Sequence, residues 1–470
     1  MNAPPDTASP GFRRALTYFD LTNMTVGAIV GADIYIAAAI TAGLLGPASL
    51  LAWLCAGILA TVIALTLAEC ASVVPEVGGP YAYVRKAFGA FPGFLAGWSM
   101  WIAEMTALPV FAIAFTNYLE HFVSLSDVSE HALRIAFLAV LATVNILSVR
   151  TAGRVNDALT FLKLLPLLLL VVGGTGYLLV HIDLARDNLT PLAPLGFDEF
   201  PTALVLVFWA FAGFELSTVP AGEVRDPMRT IPRALATGMA IVTLFYLSTN
   251  FVLYALLPHG ELANSATPLA AASAVVFGSI GATIMSAGAI VSVSGSDESD
   301  MLGSSRLSYA MAADGLLPYQ LATIHSRFRT PYVALLAQAA IAIGLTFVDQ
   351  LATLISFAVF NLTFSFALSA LALIVLRRSD PRHRSPGRRA LPYLAVVISV
   401  GLLLATSWQD KLAGAAVLGI GLLVFAVAKR TPHPSPEVHE IKAAHTRNRL
   451  TTLQDSFLGR LRHWRSRQGA

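Results

Sequence analysis

Gly27-Ala28-Ile29-Val30-Gly31-Ala32-Asp33 lies in the middle of an apolar run drawn over residues 17 to 44. A continuous helix in lipid disfavours both glycine and a carboxylate at its centre, because glycine loses the most backbone entropy on ordering and an acid loses its water. The stretch therefore predicts an interrupted helix. A second apolar run, residues 200 to 220, carries the same combination in Phe211-Ala212-Gly213-Phe214-Glu215. Each interruption opens a set of five apolar runs. Breaks at matching places in two halves point to an inverted repeat whose half-helix ends leave backbone amides and carbonyls free. Gly27 and Gly31 taken alone also fit a small-residue packing face, but Asp33 has no place in that reading.

The rest of the chain agrees with a membrane setting. Its 470 residues are 56% hydrophobic and 13% charged, with a mean hydropathy of +0.68, too few polar groups to cover a soluble globule of this size. Runs long enough to cross a ~30 Å hydrocarbon core fall at 17–44, 47–74, 91–120, 131–149, 157–180, 200–220, 234–257 and 266–300, then at 331–348, 351–376, 391–408 and 412–429. The expected fold is an all-α integral membrane protein of about twelve transmembrane helices. Residues 17–180 are the expected first repeat and 200–376 the second, followed by two further runs within 390–429 and flanked by an amino-terminal segment 1–16 and a basic tail 430–470. With both termini cytoplasmic, all but Arg134, Lys163, Arg186 and Lys411 of the 31 Lys and Arg residues fall on the inside, the bias of positive-inside topology. No cleaved leader is read before the first run. In the tail, 450–467 is either a basic amphipathic helix on the membrane surface or a solvated disordered stretch. Cys55 and Cys70 stand roughly 22 Å apart along one expected helix, too far for a disulfide.

Three motifs carry a family likeness. The end of the second run reads Glu69-Cys70-Ala71-Ser72-Val73-Val74-Pro75-Glu76-Val77-Gly78-Gly79-Pro80-Tyr81-Ala82-Tyr83. The sixth runs Phe208-Trp209-Ala210-Phe211-Ala212-Gly213-Phe214-Glu215 towards Gly222-Glu223-Val224-Arg225-Asp226-Pro227. The eighth ends Ser305-Arg306-Leu307-Ser308-Tyr309-Ala310-Met311-Ala312-Ala313-Asp314-Gly315-Leu316-Leu317-Pro318. Together, over roughly residues 15 to 430, they resemble the amino acid, polyamine and organocation permeases, and among them the basic amino acid and polyamine antiporters. The resemblance implies a LeuT-like five-plus-five inverted repeat with discontinuous helices 1 and 6, alternating access, and a substrate held between those helices. It places Ile29, Gly31, Ala32 and Asp33 at the first break, and Glu104, Trp209, Ala212 and Asp300 near substrate-lining positions.

One departure is informative. Where such permeases usually show a Gly-small-Gly triplet whose amides hold a substrate carboxylate, this chain has Gly31-Ala32-Asp33. Like charges repel in a poorly hydrated pocket, so Asp33 either holds a proton or faces a cation. Asp300 is a second unusual acid, and Asp297 shares its helical face at i, i+3, while Glu298 points about 100° away. Intramembrane acids default to function, so Glu215 and Asp297 join the expected coupling and gating groups; helix-end residues in water are the plain alternative. Lys163 resembles the family lysine whose ammonium stands in for a sodium ion, which implies proton coupling or exchange; a lysine snorkelling to water is the alternative. Tyr35 and Trp209 are candidates to close over a cationic head group, or are packing.

There is no Gly-x-x-x-x-Gly-Lys phosphate loop and no His-Glu-x-x-His zinc helix, which points away from an ATP-driven pump and a metalloenzyme. No nucleophile and base are recognisably paired. The reading is a secondary transporter in a cell (inner) membrane, without cofactor or nucleic-acid partner. It carries an amino acid or amine, in the cationic form the acids favour, with protons as coupled partner; the oligomeric state stays open. An inorganic cation carrier, for potassium or a divalent metal on oxygen ligands, is the alternative.

Overall fold

The computed structural model describes residues 16–31, 33–76, 78–147, 152–218, 224–348, 350–379 and 389–430, with backbone alone at 152–161 and 379. The residues 1–15, Ala32, most of the basic cluster after Arg378, and the tail with its expected helix at 450–467 lie outside the described residues. Among the described residues regular structure is helical, apart from an isolated parallel bridge between Leu16 and Val224.

The first apolar run becomes two helices, α1 (Tyr18–Ile29) and α2 (Asp33–Leu45). A capping box starts α1: Asp20 N donates to Thr17 Oγ1 at 3.4 Å and Thr17 N to Asp20 Oδ2 at 2.9 Å, satisfying amides that a helix start leaves open. It stops at Val30, which is extended at φ −75°, ψ 95°. There follow α3 (Ser49–Val73), α4 (Pro80–Phe88), α5 (Ala90–Leu119), α6 (Asp127–Leu147), α7 (Ala152–Val180) and α8 (Ile182–Leu189). The second half holds α9 (Phe200–Trp209), α10 (Pro227–Leu256), α11 (His259–Ala263), α12 (Pro268–Ala313), α13 (Tyr332–Leu345), α14 (Leu351–Ser379), α15 (Leu391–Ala405) and α16 (Trp408–Arg430).

Among the described residues, eight helical stretches, one running from Asp33 to Val73, are long and apolar enough to cross a membrane, and α9, α13 and α15 are shorter apolar helices. The chain is an all-helical, multi-pass membrane protein. Three short helices were not expected from the apolar runs: α4, α8 inside the acidic, Pro-rich stretch after His181, and α11. The eighth helix continues to Ala313, and the kink it carries at Gly278 (φ 66°, ψ −156°) was not marked by the apolar run.

At the centre, α5 is enclosed by α12, α14 and α4, while α10 packs on α3 and α1. Leu162, Leu165 and Val172 of α7 and Val397 and Leu404 of α15 are exposed, as lipid-facing residues must be. Two polar clasps tie helices together. Arg377 of α14 grips buried Glu69 of α3 bidentately, Nε to Oε1 at 2.7 Å and Nη2 to Oε2 at 2.5 Å. Tyr81 of α4 donates to Asp314 Oδ2 at 2.6 Å, and Arg85 pairs with the same carboxylate. Arg134, in the expected run 131–149, is buried in α6 and paired with Glu130 one turn earlier.

Candidate functional site

The two breaks meet. After α9 the chain runs through turns from Ala210 to Glu215 before a short 3₁₀ segment at Leu216–Thr218. Gly213 takes φ +110°, and a Cβ there would sit 2.7 Å from the Ala28 carbonyl oxygen of α1. Only glycine accepts both that conformation and that approach. Gly31 is held as closely from the other side: a Cβ on it would lie 2.9 Å from Ser296 Oγ of α12 and 3.0 Å from Asp33 Oδ2. The loose carbonyls at the end of α1 are gathered by neighbours. Tyr246 OH donates to Ile29 O at 2.9 Å, and buried Lys163 of α7 donates to Gly27 O and, at 3.4 Å, to Ser296 Oγ.

Between the breaks lies a small void. Four acids from four elements line it: Asp33 of α2, Glu104 of α5, Glu215 of the second break and Asp300 of α12. Glu215 Oε1 accepts the Gly213 amide at 3.0 Å, whereas Glu215 Oε2 and Glu104 Oε1 are buried without a hydrogen-bond partner among the described residues. Carboxylates buried this closely together ask for a cation or for protons. Trp209, tilted against Phe111 at a centroid distance of 5.9 Å, and Ala212 complete the expected lining.

Other expected residues stand apart from the void. Ile29 and Gly31 form the break behind it, and Ala32 lies outside the described residues. Tyr35 is fully buried, its ring edge-on to Tyr118 at 5.4 Å and its carbonyl accepting from the Tyr118 hydroxyl. Asp297 is fully buried, neither carboxylate oxygen having a partner among the described residues, and does not line the void. Lys163 is buried rather than reaching for water. The reading missed Ala28, Ala103, Ala107, Phe111, Gly213 as a wall and Leu362. Ala103, Ala107 and Phe111 recur at i, i+4 and i+8 beside Glu104, a helical face that was open to finding; nothing local marks Leu362.

The model of the amino acid permease family matches residues 16–428. The chain belongs to that family. The permease is 28% identical over 449 residues to the branched-chain amino acid permease of Bacillus subtilis, covering 89% of this chain and 93% of that one. It is 28% identical over 429 residues to a serine/threonine exchanger of the same species, covering 88% and 96%. It is also 31% identical over 426 residues to the large neutral amino acids transporter small subunit 2 of Mus musculus, covering 85% and 76%. It is a membrane transporter and not an enzyme.

Proposed function

We propose that the permease is a secondary active transporter of a cationic amino acid or amine, working by alternating access with proton coupling or exchange. The observation that carries this reading is the void lined by Asp33, Glu104, Glu215 and Asp300 with, among the described residues, no lysine or arginine in its wall. The relatives are named for branched-chain, serine/threonine and large neutral amino acids, so these acids point this chain to a different charge class. Twelve crossings in a five-plus-five inverted repeat, 17–180 against 200–376, agree with the two touching breaks, each a half-helix end offering backbone groups to a ligand. In this reading Lys163 takes the place of a coupling cation beside the α1 carbonyls, Glu215 and Asp297 are the proton-carrying candidates, and Tyr35 and Trp209 shape the closure. The positive-inside bias puts both termini in the cytoplasm of a cell (inner) membrane. Oxygen ligands also suit an inorganic cation, but among the described residues no three His, Cys, Asp or Glu side chains group as metal ligands.

The test is counterflow in proteoliposomes with a labelled basic amino acid or diamine, a labelled neutral amino acid, and sodium replaced by choline. Sodium-free exchange of the cation, varying with pH, is expected. An absolute sodium requirement overturns the role given to Lys163, preference for the neutral substrate overturns the charge class, and competition by potassium rather than amines shifts the reading to an inorganic cation.

A further inference from the structure

We infer that Asp297 of α12 is the seat of the coupled proton, a site apart from the void, so that one proton and one substrate ride through the permease together. This rests on the proton coupling proposed above; it chooses Asp297 over Glu215 and co-transport over exchange. Asp297 is fully buried, and neither of its oxygens has a hydrogen-bond partner among the described residues. An ionised carboxylate is strongly unfavourable in such surroundings, and a proton removes the charge. No counter-charge is at hand. Met301 and Ser304 share the side of α12 that bears Asp297, and Gln338 of α13 donates to Met301 O and accepts from Ser304 Oγ at 3.2 Å. Next to it, Asn145 of α6 donates to Glu298 O at 3.3 Å, and α5 packs along the same helix. The ionisable side chains of these neighbours are engaged elsewhere. Glu104 of α5 lines the void and Tyr118 donates to Tyr35 O. Glu130 and Arg134 of α6 pair with each other, Asp127 is exposed and His131 stacks on Phe347, while α13 has only Tyr332. Lys163 of α7 donates to Gly27 O and Ser296 Oγ, and Ser296 lies about 100° round the helix from Asp297. Among the described residues, the charge that reaches Asp297 is that of Asp300.

Asp300 supplies the route. It follows Asp297 by one turn on the same helical face, at i, i+3, and it lines the void. Two carboxylates placed in this way resist being ionised together, so a proton is shared between them. Water admitted to an open void meets Asp300 first. A proton taken up there passes to Asp297, by a change of rotamer or through a water: the Asp300 acid becomes a carboxylate as the Asp297 carboxylate becomes an acid. Asp300 is then charged and faces the substrate while the proton sits out of its way. Closing the void around a neutral Asp297 is far easier than around an ionised one, which ties the proton to the transport step. Release on the other side runs the transfer backwards. Glu215 does not offer a separate seat, because it lines the void itself and its Oε1 already accepts the Gly213 amide at 3.0 Å.

The test uses the full-length permease in proteoliposomes at zero membrane potential, with whichever of labelled L-lysine, cadaverine and L-leucine exchanges in counterflow. With one proton per substrate, an inward gradient of one pH unit supports accumulation of up to about 10-fold in the wild type. Asp297→Asn copies the shape of the protonated acid. It should keep counterflow at equal pH, which needs only the loaded carrier, and should lose gradient-driven accumulation, which needs the proton to come off. Asp297→Glu keeps a carboxyl group and should restore accumulation with its pH midpoint displaced. Accumulation intact in Asp297→Asn overturns the inference and leaves proton coupling standing. Parallel loss of counterflow and accumulation in a folded Asn variant marks a structural role and also overturns it. A wild type that never accumulates substrate under the gradient overturns the coupling, and the inference with it. Should Asp297→Asn not fold, the Glu variant decides, since a pH midpoint equal to that of the wild type removes the proton from Asp297.

Discussion

Tyr81 donates to Asp314 at 2.6 Å across 233 positions of sequence, and so joins the motif that ends α3 to the motif that ends α12. Burial, with the Asp314 carboxylate next, pushes the Tyr81 hydroxyl above its ordinary range. The group is thus held in its protonated, donating form. A group raised on folding contributes fully below its unfolded value, about 10 for tyrosine, and loses that contribution only as pH rises beyond it. Tyr81→Phe should therefore destabilise by about 1.5 kcal/mol, the low end for a hydrogen bond to a charged group because Asp314 is a third exposed. Thermal unfolding of wild type and variant in detergent should show the same difference at pH 6 and pH 9; a difference that shrinks between those values refutes the account. Asp33 was legible as an anomaly from sequence alone, an acid in an apolar run. The partner of Tyr81 was not, because no local pattern reports a contact made by tertiary packing.

Among the elements, the break after α9 depends on one backbone angle. Gly213 at φ +110° against the Ala28 carbonyl leaves no room for a Cβ, so Gly213→Ala has to strain its backbone or push the two breaks apart. Forced occupancy of such a conformation costs roughly 1–3 kcal/mol. The variant should lose that much stability by thermal unfolding and should lose counterflow as well, since Gly213 is part of the wall. An alanine variant with wild-type transport and stability would mean that the breaks do not need this approach. Helix existence was readable from the apolar runs, and the break at Gly31 from its composition. The short helices α4, α8 and α11 were not, because each is too short to show a period and is held by what it lies on: α4 buries Tyr81, Tyr83 and Val84 while Arg85 and Lys86 stay exposed.

For the whole molecule, the distribution of arginine and lysine makes a prediction about sidedness. Single cysteines placed at Asp187 and at Arg384, in a background with Cys55 and Cys70 replaced by serine, should differ in reaction with a membrane-impermeant thiol reagent on intact cells. Position 187 in α8 should be labelled and position 384 protected. The reverse pattern overturns the orientation of both termini and with it the inside and outside of the void.

Sequence by itself determined that this chain belongs in lipid, where its helices run and where two of them fail, because hydropathy, glycine and charge act over a few neighbouring residues. It also placed an excess of carboxylates in those spans. Only tertiary structure decided which of them share a void: Asp33, Glu104, Glu215 and Asp300 are brought together, Asp297 is kept apart, and Lys163 is turned to the Gly27 carbonyl of α1. The physical reason is that a helix fixes the direction of its own side chains but not of its neighbours, so the company an acid keeps depends on how α5, α12 and the two breaks pack against one another.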